Sequence, residues 1–192
     1  RHCLGIEVQY EMESGVMELT QSKAILGVLD RFGMIDCKPV KTPMEANQKL
    51  SKLEDEKSVL VDIPYRNAVG SLMYIMLGTR PDISYAVGIV SKFLDMPGEQ
   101  HWVAVKRILR YLKGTVGTGL TFTRAEKPSL IGYSDADWAN GHDRKSISGQ
   151  AFLLGGALIS WASKRQSTIA LSSTEAETIA TAEAAREIGR AH

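Results

Sequence analysis

With 192 residues, 44% of them hydrophobic and 23% charged, the chain sits near the averages for soluble globular proteins, which excludes wholesale disorder and allows one ordinary domain or two small ones. A formal net charge of +1 excludes a uniformly basic protein, so a nucleic-acid partner would have to be held by a local basic face. Two cysteines, Cys3 and Cys37, exclude a disulfide framework and a paired zinc site and point to a reducing compartment.

Alternation over Leu4 to Tyr10 predicts a strand, and Val16 to Leu19, after the turn at Ser14-Gly15, can pair with it as a hairpin. Gln21 to Phe32 sets Ile25, Leu26, Leu29 and Phe32 at helical spacing and ends at Gly33. From Cys37 to Val59 there is no periodicity, which predicts an exposed connection and a boundary. Three helical patterns follow. The first runs from about Pro64 to Leu77, with Asp62 as a cap and Ala68, Val69, Leu72, Met73 and Met76 facing inward. The second starts after Pro81 and buries Ile83, Ala86, Val87, Val90 and Leu94; the third, about Glu99 to Lys113, buries Trp102, Val105, Leu109 and Leu112. Short links between them predict a small bundle.

After Gly119 the period shifts toward 2, marking a second unit. Leu130 to Asp135, Ile147 to Leu154 and Leu158 to Ser163 read as strands, the last two joined by Gly155-Gly156, a pair suited to a hairpin loop with positive φ. The stretch Ala151 to Ala162 is broken by those glycines and is far short of the roughly 20 residues that span a bilayer, so no membrane partner is expected. Ser172 and Glu175 have the spacing of a capping box, opening a helix through at least Ile188. The start at Arg1 without methionine and the stop at His192 inside that helix read as cut ends.

Asp135 and Asp137 close a strand, where a carboxylate is rigidly mounted yet exposed, as a hard cation such as Mg²⁺ requires; turn formation is the plainer explanation. Glu175 is accounted for by the cap, which leaves Glu177 as the ligand candidate, against the alternative of a charge favoured near a helix N-terminus. Lys106, Arg110 and Lys113 recur at i, i+4 and i+7 with Arg107 beside them, a stripe that can follow a phosphate backbone or merely face solvent. Arg144-Lys145 and Lys164-Arg165 are shorter basic pairs. The histidines His2, His101, His142 and His192 share no metal-ligand spacing. No nucleophile elbow, phosphate-binding glycine loop or dinucleotide fingerprint occurs, which excludes those hydrolase and Rossmann classes.

These residues resemble a family. Phe32-Gly33-Met34, Thr42-Pro43-Met44, Tyr65-Arg66 with Val69-Gly70-Ser71-Leu72-Met73-Tyr74, Thr79-Arg80-Pro81-Asp82-Ile83 and Arg107-Ile108-Leu109-Arg110-Tyr111-Leu112-Lys113-Gly114-Thr115 look like the stretch after the polymerase catalytic strands in copia-type retrotransposon Pol polyproteins. Tyr133-Ser134-Asp135-Ala136-Asp137-Trp138-Ala139, Asp143-Arg144-Lys145-Ser146 with Ser148-Gly149, and Leu171-Ser172-Ser173-Thr174-Glu175-Ala176-Glu177 resemble the start of their ribonuclease H domain. The match covers nearly the whole chain in order.

The resemblance implies an α+β chain: a small helical, thumb- or connection-like region, then an incomplete ribonuclease H-like fold with antiparallel strands and a helix. Residues 1–36 would be the end of the reverse transcriptase palm with primer-grip-like strands and a helix, 37–61 a linker, 62–119 the three-helix region and 128–192 the partial ribonuclease H-like domain. Such enzymes cut the RNA strand of an RNA–DNA hybrid with Mg²⁺ held by four carboxylates. The first two map onto Asp135 and Glu177, with Asp137 secondary, and Lys106, Arg107, Arg110 and Lys113 become contacts to nucleic acid. The implied partners are an RNA–DNA hybrid and the rest of the Pol polyprotein, in the cytoplasm and its virus-like particles. The polymerase aspartates would lie before Arg1 and the remaining carboxylates beyond His192, so this chain is expected to be inactive by itself. The alternative is a relic or co-opted module that binds nucleic acid without cutting it; a sugar-nucleotide transferase built on Asp135 and Asp137 is disfavoured because no nucleotide-binding pattern precedes them.

Overall fold

A computed structural model describes residues 1–46, 48, 50–53, 62–127, 129–139 and 144–190; the end of the expected linker (54–61), His142, Asp143 and His192 lie outside these. The chain is α+β and divides into two compact units, Arg1–Tyr10 with Met17–Leu120 and Glu11–Val16 with Thr121–His192. None of its helices, among the described residues, is long and apolar enough to cross a membrane.

The first unit opens with strands β1 (His2–Cys3), β2 (Ile6–Glu11) and β3 (Val16–Thr20), neighbours in that order. β2 begins two residues later than alternation predicts, because Leu4 and Gly5 both take positive φ (48° and 77°) to turn the chain out of β1. Helix α1 spans Ser22–Arg31. It ends as the string Phe-Gly-Met dictates: Gly33 takes φ 63°, its N–H donates to Asp30 O and the Met34 N–H reaches back to Leu29 O, the double bond of a Schellman stop.

Helices α2 (Tyr65–Gly78), α3 (Ser84–Val90) and α4 (Glu99–Gly114) form the bundle, with a 3₁₀ turn before and after α3. α1 joins them in one core, where Ile25, Leu29, Leu72, Ile75, Ile83, Ile108, Leu109 and Leu112 are fully buried. Fully burying an aliphatic side chain of this size is worth about 1.5–3 kcal/mol, so this layer holds the unit together. The 100° step of the helix corrects some expected faces. Leu26 and Met73 are exposed, with Val28 and Ile75 inside instead, and Trp102 and Leu94 are only half-buried. Asp62 does not cap α2, whose N-cap is Pro64 with no side-chain bond.

The described part of the connection, Cys37 to Leu53, forms no regular element but lies strapped along α4. Arg110 Nε donates to Lys38 O (2.7 Å), Arg107 to Thr42 Oγ1 (3.0 Å) and Glu45 Oε1 (2.8 Å), and Gln100 Nε2 to Ser51 O (3.0 Å). Leu50 is buried in the same core. Periodicity is absent because partners some 50 to 70 residues away, not neighbours, fix this backbone.

In the second unit β5 (Ile131–Asp137), β6 (Ile147–Leu154) and β7 (Ala157–Arg165) make an antiparallel sheet in that order. Gly155 and Gly156 take φ 59° and 84°, the positive values their hairpin loop needs. A strand the period did not reveal, β4 (Leu120–Thr123), precedes the sheet; its Thr123 N–H donates to Gly155 O (2.7 Å). Helix α5 (Ser173–Arg190) packs on β5 and β6 through Ala176, Ala180 and Ala184. Alanine at successive fourth positions lets the helix come close to the sheet, which meets it with the small residues Ser134 and Ala136, while Gly132 leaves room for the ring of its cross-strand partner Phe152.

Candidate functional site

Two kinds of site were expected, an acidic one in the second unit and a basic face in the first. The acidic one is built on the C-terminal end of β5 and the first turns of α5. Asp135 stands opposite Gly149 and Asp137 opposite Ile147, both exposed. The Ser134 hydroxyl lies 3.3 Å from Thr181 Oγ1, so Ser134 faces α5 and alternation turns Asp135 and Asp137 to the other face. Glu177 is exposed one turn before Thr181, whose hydroxyl donates to the Glu177 carbonyl (2.9 Å).

The level of the helix is set by a second contact: Ala176 O and Ser148 Oγ share the amide of Gln166, and Ser148 is the cross-strand partner of Ala136. The start of α5 therefore stands level with the Asp135 to Asp137 end of β5. Glu177 lies on the side of the helix that meets β5, the edge strand of this sheet among the described residues. Asp135 and Glu177 can thus meet only around that edge, not across the sheet. Glu175 is occupied as its spacing predicts: its N–H donates to Ser172 Oγ (3.1 Å), and its carboxylate accepts the N–H of Leu171 (2.7 Å), one residue further back than a standard capping box.

Carboxylate oxygens suit Mg²⁺, which is commonly held by one or two carboxylates with water completing the shell. Asp135 and Glu177 fit it in kind, while among the described residues no group of three or more His, Cys, Asp or Glu is placed to hold a metal ion.

On the basic face, Lys106, Arg107, Arg110 and Lys113 all lie partly exposed on α4. Two of them are committed elsewhere: Arg107 pairs with Glu45 and Arg110 holds the Lys38 carbonyl, both tying down the connection. Lys106 and Lys113 are left as the side chains most available to an external anion.

Three polar groups escaped the sequence reading. Arg80, fully buried, donates twice to Asp82 (2.9 and 2.7 Å) and to the carbonyl and hydroxyl of Thr115 (2.8 and 2.6 Å), and lies over the Tyr111 ring. Burial raises the Asp82 carboxyl, but hydrogen bonds from Arg80 and Tyr111 and the Arg80 charge together hold it below its ordinary value. The motifs around Arg80-Pro81-Asp82 and Tyr111 to Thr115 therefore clamp the end of α2 to the end of α4. Gln166 is the third buried hub after His101.

His101, fully buried, stacks on Phe93, accepts the Gly98 N–H at Nδ1 (2.8 Å) and bonds Ser51 O through Nε2 (2.9 Å), a pattern that assigns the neutral Nε2–H tautomer. Burial lowers its pKa from 6.5, partly offset by the Ser51 carbonyl. With the folded value below the unfolded one, the unfolded chain binds more protons between the two. Stability is therefore expected to fall as pH drops below about 6.5 and to level off beneath the folded value. Thermal unfolding of the wild type should lose more between pH 8 and pH 5 than that of His101→Gln; equal losses would remove His101 as the cause.

Comparison with known proteins places the whole chain. It is 50% identical, over 98% of its length, to the retrovirus-related Pol polyprotein from transposon TNT 1-94 of Nicotiana tabacum. It is 47% identical, over 92% of its length, to that from transposon RE1 of Arabidopsis thaliana. It spans only 14% and 12% of those two polyproteins. It is also 53% identical to the secreted RxLR effector protein 161 of Plasmopara viticola, over 66% of this chain and 89% of that protein. No family model and no solved structure matches.

Proposed function

The chain belongs to the retrovirus-related Pol polyproteins of copia-type transposons, and on that premise we propose that it is the closing part of a reverse transcriptase joined to the first half of a ribonuclease H-like domain. The parent copies RNA into DNA and hydrolyses the RNA strand of the resulting hybrid. This segment alone does neither, because of the four carboxylates that the resemblance implies only two, Asp135 and Glu177, map onto it. The observation that carries the reading is the placement of Asp135 and Glu177 at one end of the second unit, on an edge strand and on the helix start beside it. When bound, Mg²⁺ would supply activation of water and stabilisation of the leaving oxygen. The chain's own part is to hold Asp135 rigid on β5 and to keep Glu175 out of the site by spending it on the helix cap.

Nucleic acid is the proposed partner of α4. Because Arg107 and Arg110 are tied down, Lys106 and Lys113 carry the contact to phosphate. Binding of a fluorescent RNA–DNA hybrid should weaken linearly in log–log coordinates as salt rises, and each of Lys106→Ala and Lys113→Ala should lower that slope by about 1. A slope unchanged in both variants would move the interface elsewhere.

One observation favours a second reading, a module that binds nucleic acid without cutting it. The Plasmopara viticola effector is covered over 89% of its length by 66% of this chain, so a segment similar to two-thirds of this one makes up nearly the whole of another protein. Binding with no gain of cleavage when the missing carboxylates are supplied would favour it.

A further inference from the structure

The geometry points to Gln166 as a positioning residue for the carboxylate of Glu177, an inference that rests on the acidic site proposed above. Gln166 is 1% exposed, and its three donors are spent on three different places. Its backbone N–H donates to Ser146 O (2.9 Å), just before β6; its side-chain amide donates to Ser148 Oγ on β6 (3.0 Å) and to Ala176 O in the first turn of α5 (2.9 Å).

The two ends of that amide bridge are next to the two acids. Ser148 is paired with Ala136, the neighbour of Asp135, and Ala176 immediately precedes Glu177. One planar amide therefore measures the distance from the β5 end of the sheet to the start of the acid-bearing helix. Other contacts hold the segment that leads into the helix: Trp138 Nε1 donates to Ala170 O (3.2 Å) and Lys145 Nζ to Ser167 O (2.6 Å), both to residues before α5 rather than within it. Within the helix Ser134 meets Thr181 at 3.3 Å, and Gln166 grips the turn that carries Glu177.

An amide is needed for the task. Among neutral side chains only a carboxamide carries two N–H groups on one nitrogen to serve both acceptors, and its Oε1, buried without a partner among the described residues, takes no share in the bridge. Glutamate in its place would set a carboxylate against the Ala176 carbonyl, and methionine would fill the space without fixing the helix. Ligands to a hard cation must be held to within about 0.5 Å, and loss of a supporting partner typically weakens metal binding about 10–100-fold.

The test uses the full chain, ¹⁵N-labelled, with Mn²⁺ alone as the probe. In the wild type, added Mn²⁺ should broaden the amides at Asp135 and Glu177 at the same concentrations. In Gln166→Met the broadening at Glu177 should require at least about tenfold more Mn²⁺ while Asp135 stays affected. Thr178→Ala, which deletes a hydroxyl bond on the exposed side of the same helix, should leave Mn²⁺ binding unchanged whatever it does to the melting temperature. Joint broadening that survives Gln166→Met unaltered overturns the role of Gln166 and leaves the acidic site standing. No broadening at either carboxylate in the wild type overturns the acidic site and this inference with it. Should Gln166→Met fail to fold, Ser148→Ala, which removes one acceptor and keeps the amide, decides: weakened broadening at Glu177 supports the role and unchanged broadening refutes it.

Discussion

Replacing Arg80 with methionine is expected to destabilise the first unit by about 3 kcal/mol, the lower end of the range for stripping one partner from a buried ion pair. The variant keeps most of the side-chain volume, so the loss is not a cavity. It comes from what is left behind: the Asp82 carboxylate, which Arg80 met with two bonds, and the Thr115 carbonyl and hydroxyl. The lower end of the range applies because the Asp82 side chain is 32% exposed and can recover some hydration. Thermal denaturation should show the midpoint falling by roughly 10–20 °C.

Two controls separate this account from general damage. The double variant Arg80→Met/Asp82→Leu should recover a large part of the loss, since no unpaired charge remains; a double variant as unstable as the single one would show that the carboxylate is not responsible. The wild type should also weaken at acid pH. The folded Asp82 value lies below its ordinary 3.8, so its contribution is complete above that value and disappears as pH falls through the folded one. Arg80→Met should show little of that acid sensitivity.

Much of the helical unit was legible because its apolar residues repeat with the helix. Ala68, Val69 and Leu72, then Val87 and Val90, then Val105, Leu109 and Leu112 are buried as their spacing predicts. What was missed had no local signal. The strap from Lys38 to Ser51 is ordered by α4, far along the chain, and two-residue β1 is too short to show a period. Arg80 is a charged residue at the centre of a core, and nothing in its neighbours' hydropathy announces that; the Asp two positions on, across a proline, was the only hint.

In the second unit the strands were legible and their inner face was not. Along β5 the large residues Ile131 and Tyr133 turn away from α5 while Gly132, Ser134 and Ala136 turn toward it, the reverse of apolar-inward alternation. The reason lies in α5, whose alanines leave room only for small partners, and at Gly132 in the Phe152 ring, which fills the space beside it. Asp135 and Glu177 are proposed from strand-end placement, from elimination of Glu175 through its cap and from family resemblance; of these the cap is what the structure displays directly.

The steepest change falls on cleavage. A labelled RNA–DNA hybrid is incubated with Mg²⁺ and three proteins: this chain, the chain continued at its C-terminus with the corresponding residues of the tobacco polyprotein to which it is 50% identical, and that continued chain carrying Asp135→Asn or Glu177→Gln. The proposed function requires no cleavage by the chain alone and cleavage of the RNA strand by the continued one. Either substitution should then lower the rate at least about 10³-fold, a loss that corresponds to roughly 4 kcal/mol of barrier. Cleavage by the chain alone, or a continued chain that cuts equally well without Asp135 and Glu177, would contradict it.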